Sequence, residues 1–391
     1  MDSIDFQHRT RFVCGPNTVD RLGELASELG GTRALVVSDP GVVSAGHFQR
    51  GVDSLTQAGV KVSSFHDVHE NPTTLDVQAG LAVAQAEQPD LLVAIGGGSS
   101  IDCAKGINFL FSCGGQMEDY WGVGKATADM LPMIAVPTTS GTGSEAQSFA
   151  LISQAESHVK MACGDPRAAC RIALLDPTLT VTQPALVTAL TGIDAISHAI
   201  EAHVTQRRNP LSACYSRQAW NLLVEGFPQV LERPQDLAAR GKVQLGACLA
   251  GLAIETSMLG AAHALANPLT ARFNITHGQA VGLMLPAVIR FNAPVVADLY
   301  AQLWRDVEQA ELAKSCVGSS PSESPSESLA ALVRCMVDRS GLQTQLSAVG
   351  VPQDALADMA VAATGQWTGG FNPRPLSEAD FLQLYQETYS F

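Results

Sequence analysis

The first third of the chain alternates short β-branched runs with stretches of helical pattern. Strand-like runs stand at Ala34–Ser38, Val60–Phe65 and Leu91–Ile95; one helical pattern reaches about Ala58 and another runs from Thr73 to Gln88. The order β-α-β-α-β predicts a parallel sheet covered by helices. Further strand-like pieces occupy Met133–Val136 and Ile172–Leu175, the second followed by Asp176-Pro177. After Pro184 the strand signal stops. Long Ala- and Leu-rich helical windows follow, punctuated at Asn209-Pro210, Pro228, Pro234, Pro268, Pro286 and Pro294. Two domains are therefore expected, an α/β part over residues 1–180 and an all-helical part over 181–391. Between the later helices, Ser315–Ser328 holds seven serines and a doubled Pro-Ser-Glu-Ser, a composition that predicts a mobile surface loop.

Composition narrows the partners. The hydrophobic set makes up 46% of the 391 residues and charged residues 16%, enough to bury a large core. With 24 basic against 38 acidic residues the net charge is -14, and no segment gathers a Lys/Arg stripe, so a nucleic-acid partner is not expected. No uninterrupted apolar run approaches the ~18 residues that cross a bilayer, and MDSIDFQHRT lacks the basic-then-apolar order of a signal peptide, so a cytoplasmic location is expected. The nine cysteines are scattered without C-x-x-C spacing and are expected to be free, mostly buried thiols.

Two loops carry candidate chemistry in the first part. Leu91–Lys105 is a buried strand, the glycines Gly96, Gly97 and Gly98, and a helix whose start, Ser99-x-x-Asp102, has capping-box spacing. Residues without Cβ let backbone N–H groups approach a ligand, and a helix N-terminus favours a pyrophosphate. The same run also serves as a plain tight turn, and it is not the G-x-G-x-x-G fingerprint. Asp39 ends the first strand, where an acid can accept two ribose hydroxyls and repel a 2'-phosphate; a turn aspartate before Pro40-Gly41 is the other reading. Pro137-Thr-Thr-Ser-Gly-Thr-Gly-Ser-Glu145 follows another strand as a second hydroxyl- and glycine-rich cradle.

In the helical part, Asp194 and His198 are four residues apart on one helix face, the spacing at which two side chains converge on an ion or form a surface hydrogen bond. His263 and His277 follow, with Pro268 between them suggesting successive helical segments. One carboxylate and three imidazoles without a thiolate suit Fe(II), Zn, Mn or Co.

Taken together, Gly-Gly-Gly-Ser-Ser-Ile-Asp-Cys-Ala-Lys, Pro-Thr-Thr-Ser-Gly-Thr-Gly-Ser-Glu, Asp-x-x-x-His-Ala-Ile-Glu-Ala, the His263–His277 segment and Phe371-Asn-Pro-Arg-Pro closely resemble the iron-containing (group III) alcohol dehydrogenases, over nearly the whole chain and in the family's order. The resemblance implies an N-terminal dinucleotide-binding domain, an all-helical metal-binding domain and a catalytic cleft between them. It implies Asp194, His198, His263 and His277 as metal ligands, with Fe(II) or Zn bound. It implies Asp39, Asn71, Gly96, Gly97, Gly98, Ser99, Asp102, Thr138, Thr139, Thr142, Lys160 and Leu179 as contacts to the nicotinamide cofactor, NAD rather than NADP. Phe149, Ile254 and Trp367 fall at positions resembling the family's substrate pocket. A homodimer is the family precedent.

Three positions depart from the family pattern. Asn267 stands where many members carry a second histidine assigned to proton relay, so either it serves the chemistry in another way or it bonds backbone where the helix stops before Pro268. Glu255 replaces a neutral or small side chain, and His203 a position often held by Tyr; His203 is a possible alternative proton carrier. The implied reaction is metal-assisted hydride transfer between a small alcohol, or its aldehyde or ketone, and the nicotinamide. Alternatives in other reaction classes are a dehydroquinate-synthase-like lyase, which needs several Lys and Arg where only Arg272 is near, and a hydroxyacid–oxoacid transhydrogenase. A non-catalytic metal- and nucleotide-binding protein is the third.

Overall fold

The computed structural model describes residues 6–157, 159–317 and 324–389. They divide into two compact units, Met1–Gln183 and Pro184–Phe391. The first is built on strands β1 (Arg11–Cys14), β2 (Arg33–Val37), β3 (Lys61–Phe65), β4 (Leu91–Gly96), β5 (Gly122–Val123), β6 (Met133–Pro137), β7 (Phe149–Ser153), β8 (Lys160–Gly164) and β9 (Ile172–Leu175). Six of them form an all-parallel sheet in the order β1-β9-β6-β4-β2-β3. The central strands are buried on both faces, as parallel sheets with helical crossovers require. Along β2 and β4, Leu35, Val37, Leu92 and Ala94 join one apolar cluster while Ala34, Val36, Leu91, Val93 and Ile95 join the opposite one.

Two features escaped the periodicity. β1 adds an edge strand before the first expected one, and β5-β8-β7 make a small separate sheet in which β7 and β8 run antiparallel. These strands have two to five residues, and β1 and β5 pair with distant segments, so local pattern says little about them. The capping-box reading at Ser99 is also corrected. The helix Gly98–Cys113 starts directly off β4 with Gly97 as its N-cap and no side-chain cap, which places Ser99 inside the first turn. A true capping box stands instead at Thr73 and Asp76, opening the helix Thr74–Glu87. The Asp176-Pro177 corner has a local purpose: Asp176 accepts hydrogen bonds from Asn17 N, Val19 N and Thr178 N, joining the end of β9 to the segment after β1.

One buried charge holds the second loop in place. Lys105 is fully buried in the helix after the glycine loop, and its Nζ donates to the carbonyls of Ser144, Gln147 and Phe149 at 2.7, 2.6 and 2.9 Å. The three carbonyls lie along the end of the Pro137–Glu145 cradle and the start of β7.

The second unit is entirely helical among its described residues, with one large apolar core that includes Ile193, Ile196, Trp220, Leu223, Phe227, Leu265 and Leu285. Not every proline ends a helix. Asn209 caps Pro210–Glu232 as the sequence suggested, and a kink does follow Pro294, where Val296 leaves helical geometry at φ -132°, but Pro228, Pro268 and Pro286 lie inside continuous helix. Burial of the flanking apolar turns outweighs the single lost backbone hydrogen bond at each. The break between His263 and His277 falls at Asn274, which ends its helix in the left-handed conformation (φ 54°). Two helices, Leu237–Ser257 and His277–Val307, are apolar and long enough to cross a bilayer, contrary to the reading from uninterrupted runs. Of their most apolar windows, 67% and 61% is buried inside the protein, as in core helices.

The thiol expectation is corrected at one pair. Cys316 and Cys335 form a disulfide, their Cα atoms 5.8 Å apart, because the helices Glu311–Val317 and Pro325–Arg339 bring them together. Cys103, Cys163, Cys170 and Cys248 are buried thiols outside the disulfide, whereas the thiols of Cys14 and Cys214 are exposed. The serine-rich stretch is not wholly loop either: residues 318–323 lie outside the described residues, but Pro325 already opens a helix in which Ser326 and Ser328 are buried. Glu327 there pairs with Arg290. Pro at N1 and Ser at the N-cap are helix-start chemistry hidden in a low-complexity composition.

Replacing Lys105 by Met should leave three inward carbonyls without their donor. A loss on the order of 3 kcal/mol is expected, read as a lower denaturant midpoint; an unchanged midpoint would show that the ammonium is not holding the cradle.

Candidate active site

Within the α/β unit the two loops pack against one another, and this contact explains Gly97 and Gly98, while Gly96 makes room for Ser100 and Asp39. A Cβ on Gly98 would lie 2.7 Å from Thr142 Oγ1, one on Gly97 would lie 3.2 Å from Thr139 Cγ2, and one on Gly96 would fall 2.3 Å from Ser100 Oγ. The first turn of the helix Gly98–Cys113 thus sits against the threonine loop with its N-terminus free of any side-chain cap. That uncapped set of N–H groups fits an anionic pyrophosphate. Thr138 N donates to Gly96 O at 3.0 Å, tying the strand ends together, and Thr142 Oγ1 accepts from Ser144 N.

Asp39 is a turn aspartate before Pro40-Gly41. Its Oδ1 accepts from Val42 N at 3.0 Å as the N-cap of Pro40–Ser44, and its Oδ2 accepts from Ser100 Oγ at 3.1 Å, drawing it to the glycine loop. Asn71, in the left-handed region at φ 53°, donates from its backbone N to Ser99 Oγ and accepts at Oδ1 from Lys160 Nζ at 3.2 Å. Three expected cofactor contacts from distant segments therefore meet. Asp102 is buried, and desolvation pushes its carboxyl up to about 6 despite the opposing pull of Lys105. Its Oδ1 is buried without a hydrogen-bond partner, as an acceptor for a ligand donor would be. Leu179 is placed differently: it is buried in the apolar core with Val19, Leu22 and Leu174. Phe149 packs its ring on Gly164 in the small sheet.

In the helical unit, Asp194 and His198 lie on the helix Ala185–Val204, His263 on Ala261–Phe273 and His277 at the first position of His277–Val307. Asp194 Oδ1 stands 3.3 Å from His198 Nε2, 3.6 Å from His263 Nε2 and 3.7 Å from His277 Nε2. Two ligands about 2.1 Å from a tetrahedral ion lie about 3.4 Å apart, so these are the edges that a shared ion requires. Asp194, His263 and His277 form the tightest group, all ligand atoms within 4.8 Å; His198 joins through Asp194 and by stacking on His263 at 4.9 Å between ring centroids. Asp194 Oδ1 and His263 Nε2 are buried yet make no hydrogen bond, which fits atoms that take an ion rather than a proton donor.

The carboxylates and imidazoles of the group hold one another in their charged forms. Burial raises Asp194, but the facing imidazoles of His198, His263 and His277 outweigh it and hold the carboxyl well below the usual range. Burial likewise lowers the His263 ring, and the Glu201 and Asp194 carboxylates overcome that and lift it to about 9. Glu201 was quoted in the motif but given no role; its position seven residues after Asp194 and three after His198, on the same helix face, was the available signal.

The departures resolve in part. Asn267 Nδ2 donates to Gln366 Oε1 at 2.9 Å, so its amide bonds a side chain and not backbone at a helix end. His203 is fully buried with Nδ1 on Ser216 Oγ at 3.0 Å, and burial together with Arg208 and Arg217 lowers it to about 4. A neutral ring packed between two helices carries no proton out, so that expectation is withdrawn. Glu255 is half-buried near the end of its helix. Ile254 is buried in a small cluster with Ala202 and Ala253, whereas Trp367 is 47% exposed and edge-on to Phe371.

A buried three-helix metal group and a separate strand-glycine-helix cradle define a metal- and nucleotide-dependent oxidoreductase. The chain belongs to the iron-containing alcohol dehydrogenases: the family "Iron-containing alcohol dehydrogenase" matches residues 9–177 and "Fe-containing alcohol dehydrogenase family, C-terminal" matches 188–389. It is 32% identical to the 1,3-propanediol dehydrogenase of Klebsiella pneumoniae over 378 residues, 96% of each chain. It is 31% identical to the NAD-dependent methanol dehydrogenase of Bacillus methanolicus over 373 residues, 95% of this chain and 96% of that one. Among solved structures, a 1,3-propanediol oxidoreductase superposes with a TM-score of 0.94 at 30% identity, covering 99% of this chain and 100% of that one. The chain is thus a metal-dependent alcohol oxidoreductase that uses a nicotinamide cofactor.

Ligand assignment has a direct check. His263→Ala or His277→Ala should remove most of the bound metal, measured by elemental analysis after gel filtration, while circular dichroism of the α/β unit stays unchanged. Full metal content in both variants would place the ion elsewhere.

Proposed function

We propose that this enzyme oxidises a small primary alcohol or diol with NAD, using Fe(II) held by Asp194, His198, His263 and His277. The observation that carries the reading is Asp194 Oδ1 set 3.3–3.7 Å from three imidazole nitrogens. When bound, the divalent ion acts as a Lewis acid on the substrate oxygen and the nicotinamide takes up the hydride. The protein supplies binding and orientation. The uncapped helix start at Gly97 and Gly98 receives the pyrophosphate, and Thr139 and Thr142 line that turn. Asp39, fixed by Val42 N and Ser100, accepts ribose hydroxyls and repels a 2'-phosphate. Lys160 with Asn71 and Ser99, and the partnerless Oδ1 of Asp102, supply further polar contacts to the cofactor. Leu179 is assigned a cofactor contact only on the family resemblance.

Ile254 and Trp367 of the helical unit are proposed to line an apolar substrate pocket, in line with relatives named for 1,3-propanediol and methanol, and Phe149 is assigned to the substrate only on the family resemblance. Asn267, bonded to Gln366, does not titrate in the working range, so it orients and does not relay a proton. A lyase acting on a phosphorylated substrate is disfavoured because Arg272, the basic residue nearest the ligand segments, is spent on Asp358 at the surface. A cytoplasmic setting is supported by the burial of both long apolar helices; the Cys316–Cys335 disulfide is the observation against it. The homodimer rests on the family precedent.

Steady release of NADH from metal-loaded enzyme with NAD and a small alcohol alone is the test. Turnover only when an oxoacid is supplied as acceptor would instead make the enzyme a transhydrogenase. In the same assay Asp39→Asn, which keeps the helix cap but removes the charge, should narrow the preference for NAD over NADP by about tenfold, the scale of one partly screened charge contact. Equal use of both cofactors by the unmodified enzyme would contradict the role of Asp39.

A further inference from the structure

Glu201 lies on the face of the helix Ala185–Val204 that carries Asp194 and His198, but it turns its carboxylate to the helix Ala261–Phe273. It is buried, 3% exposed, and each oxygen has a separate task. Oε2 accepts from His263 Nδ1 at 2.5 Å, and Oε1 accepts from Ala262 N at 2.7 Å. Asn372, from the Phe371-Asn-Pro-Arg-Pro motif, completes this end: its Oδ1 accepts from Ala261 N at 3.2 Å and from Asn292 Nδ2 at 3.0 Å. Space for both acceptors comes from Gly260, where a Cβ would lie 3.0 Å from Glu201 Oε1 and 3.0 Å from Asn372 Oδ1. The helix bearing His263 is therefore fixed at its first turn by the same carboxylate that fixes the His263 ring.

We infer that Glu201 is a positioning residue for the metal: by accepting the Nδ1 proton of His263 and the amide of Ala262, it commits the ring to present Nε2 and locks its direction. This rests on the reading of Asp194, His198, His263 and His277 as the ligand set. An imidazole has two nitrogens, and only a hydrogen bond at one decides which of them faces the ion. His263 Nε2 does lie on the Asp194 side, 3.6 Å from Oδ1, with Nδ1 on the Glu201 side. The carboxylate also makes the ring a stronger donor and, with Asp194, sets two negative charges beside the site, which favours a divalent ion.

The experiment measures metal affinity directly. In the full chain, Glu201→Gln and Glu201→Ala should weaken zinc and cobalt binding by 10- to 100-fold, the loss usual for such outer partners, by competition with a chromophoric chelator. The visible absorption of the cobalt-substituted enzyme should shift as well. Asp236→Ala removes the cap of a different helix, Leu237–Ser257, and serves as a control for destabilisation alone. If that variant lost as much affinity as Glu201→Gln, or if Glu201→Gln kept wild-type affinity and spectrum, the proposal would be overturned. Should His263→Ala also bind with full affinity, the ligand reading itself has failed; if only Glu201→Gln does, the positioning role alone has. Nitrogen NMR of the zinc-loaded wild type, with labelled histidine, is independent of any variant's folding. It should find the proton of His263 on Nδ1, and a proton on Nε2 would refute the inference.

Discussion

A carboxylate buried among imidazoles is the constraint on which the helical unit turns. Asp194 cannot remain ionised in an apolar core without compensation, because an unpaired buried charge costs several kcal/mol. Here the compensation is built from three helices at once: His198 on its own helix, His263 on the second and His277 at the start of the third. A divalent cation bound there would neutralise Asp194 and take the lone pairs aimed at it, with the Glu201 carboxylate one imidazole further out. The helices must then meet at one point with side chains directed inward, and the small residues on them permit that. Gly192 packs against Phe227, Gly278 against the backbone of Leu190, and Gly282 against Ile193, each at a distance that a Cβ would violate. Close approach of the helices and convergence of the ligands are one requirement.

The α/β unit solves a different problem with the same means, a buried charge and missing Cβ atoms. Lys105 draws the carbonyls of Ser144, Gln147 and Phe149 inward, which sets the threonine loop against the glycine turn. Gly97 and Gly98 are then needed for contact between the protein loops themselves. Asp39 and Asn71 reach the same turn through Ser100 and Ser99. Four segments far apart in the chain are thereby held to one surface before any cofactor arrives, so little ordering cost falls on binding.

Much of this was legible because the decisive patterns are local. The strand-glycine-helix run, the Asp194–His198 spacing and the change from alternating to purely helical periodicity are each read within twenty residues. What stayed hidden depends on contacts between distant segments. Strands β1 and β5 have no periodic signature because each is short and finds its partner far along the chain. Ser99-x-x-Asp102 has the letters of a capping box, but β4 runs straight into the helix and leaves Gly97 at the cap. Prolines 228, 268 and 286 looked like stops because their cost is local and the burial that outweighs it is not. The Cys316–Cys335 pairing depends on two helices folding back on one another, which spacing alone does not disclose. Glu201 carried a readable helical offset, yet its partner sits 62 residues away.

The central claim is that one oxygen and three imidazole nitrogens from these helices share a single divalent ion. X-ray absorption at the metal edge of the loaded enzyme tests it most directly. The account predicts one first shell of nitrogen and oxygen at about 2.0–2.2 Å, with outer-shell scattering from three imidazole rings and no sulfur. A thiolate distance near 2.3 Å, or scattering from fewer than two rings, would contradict it.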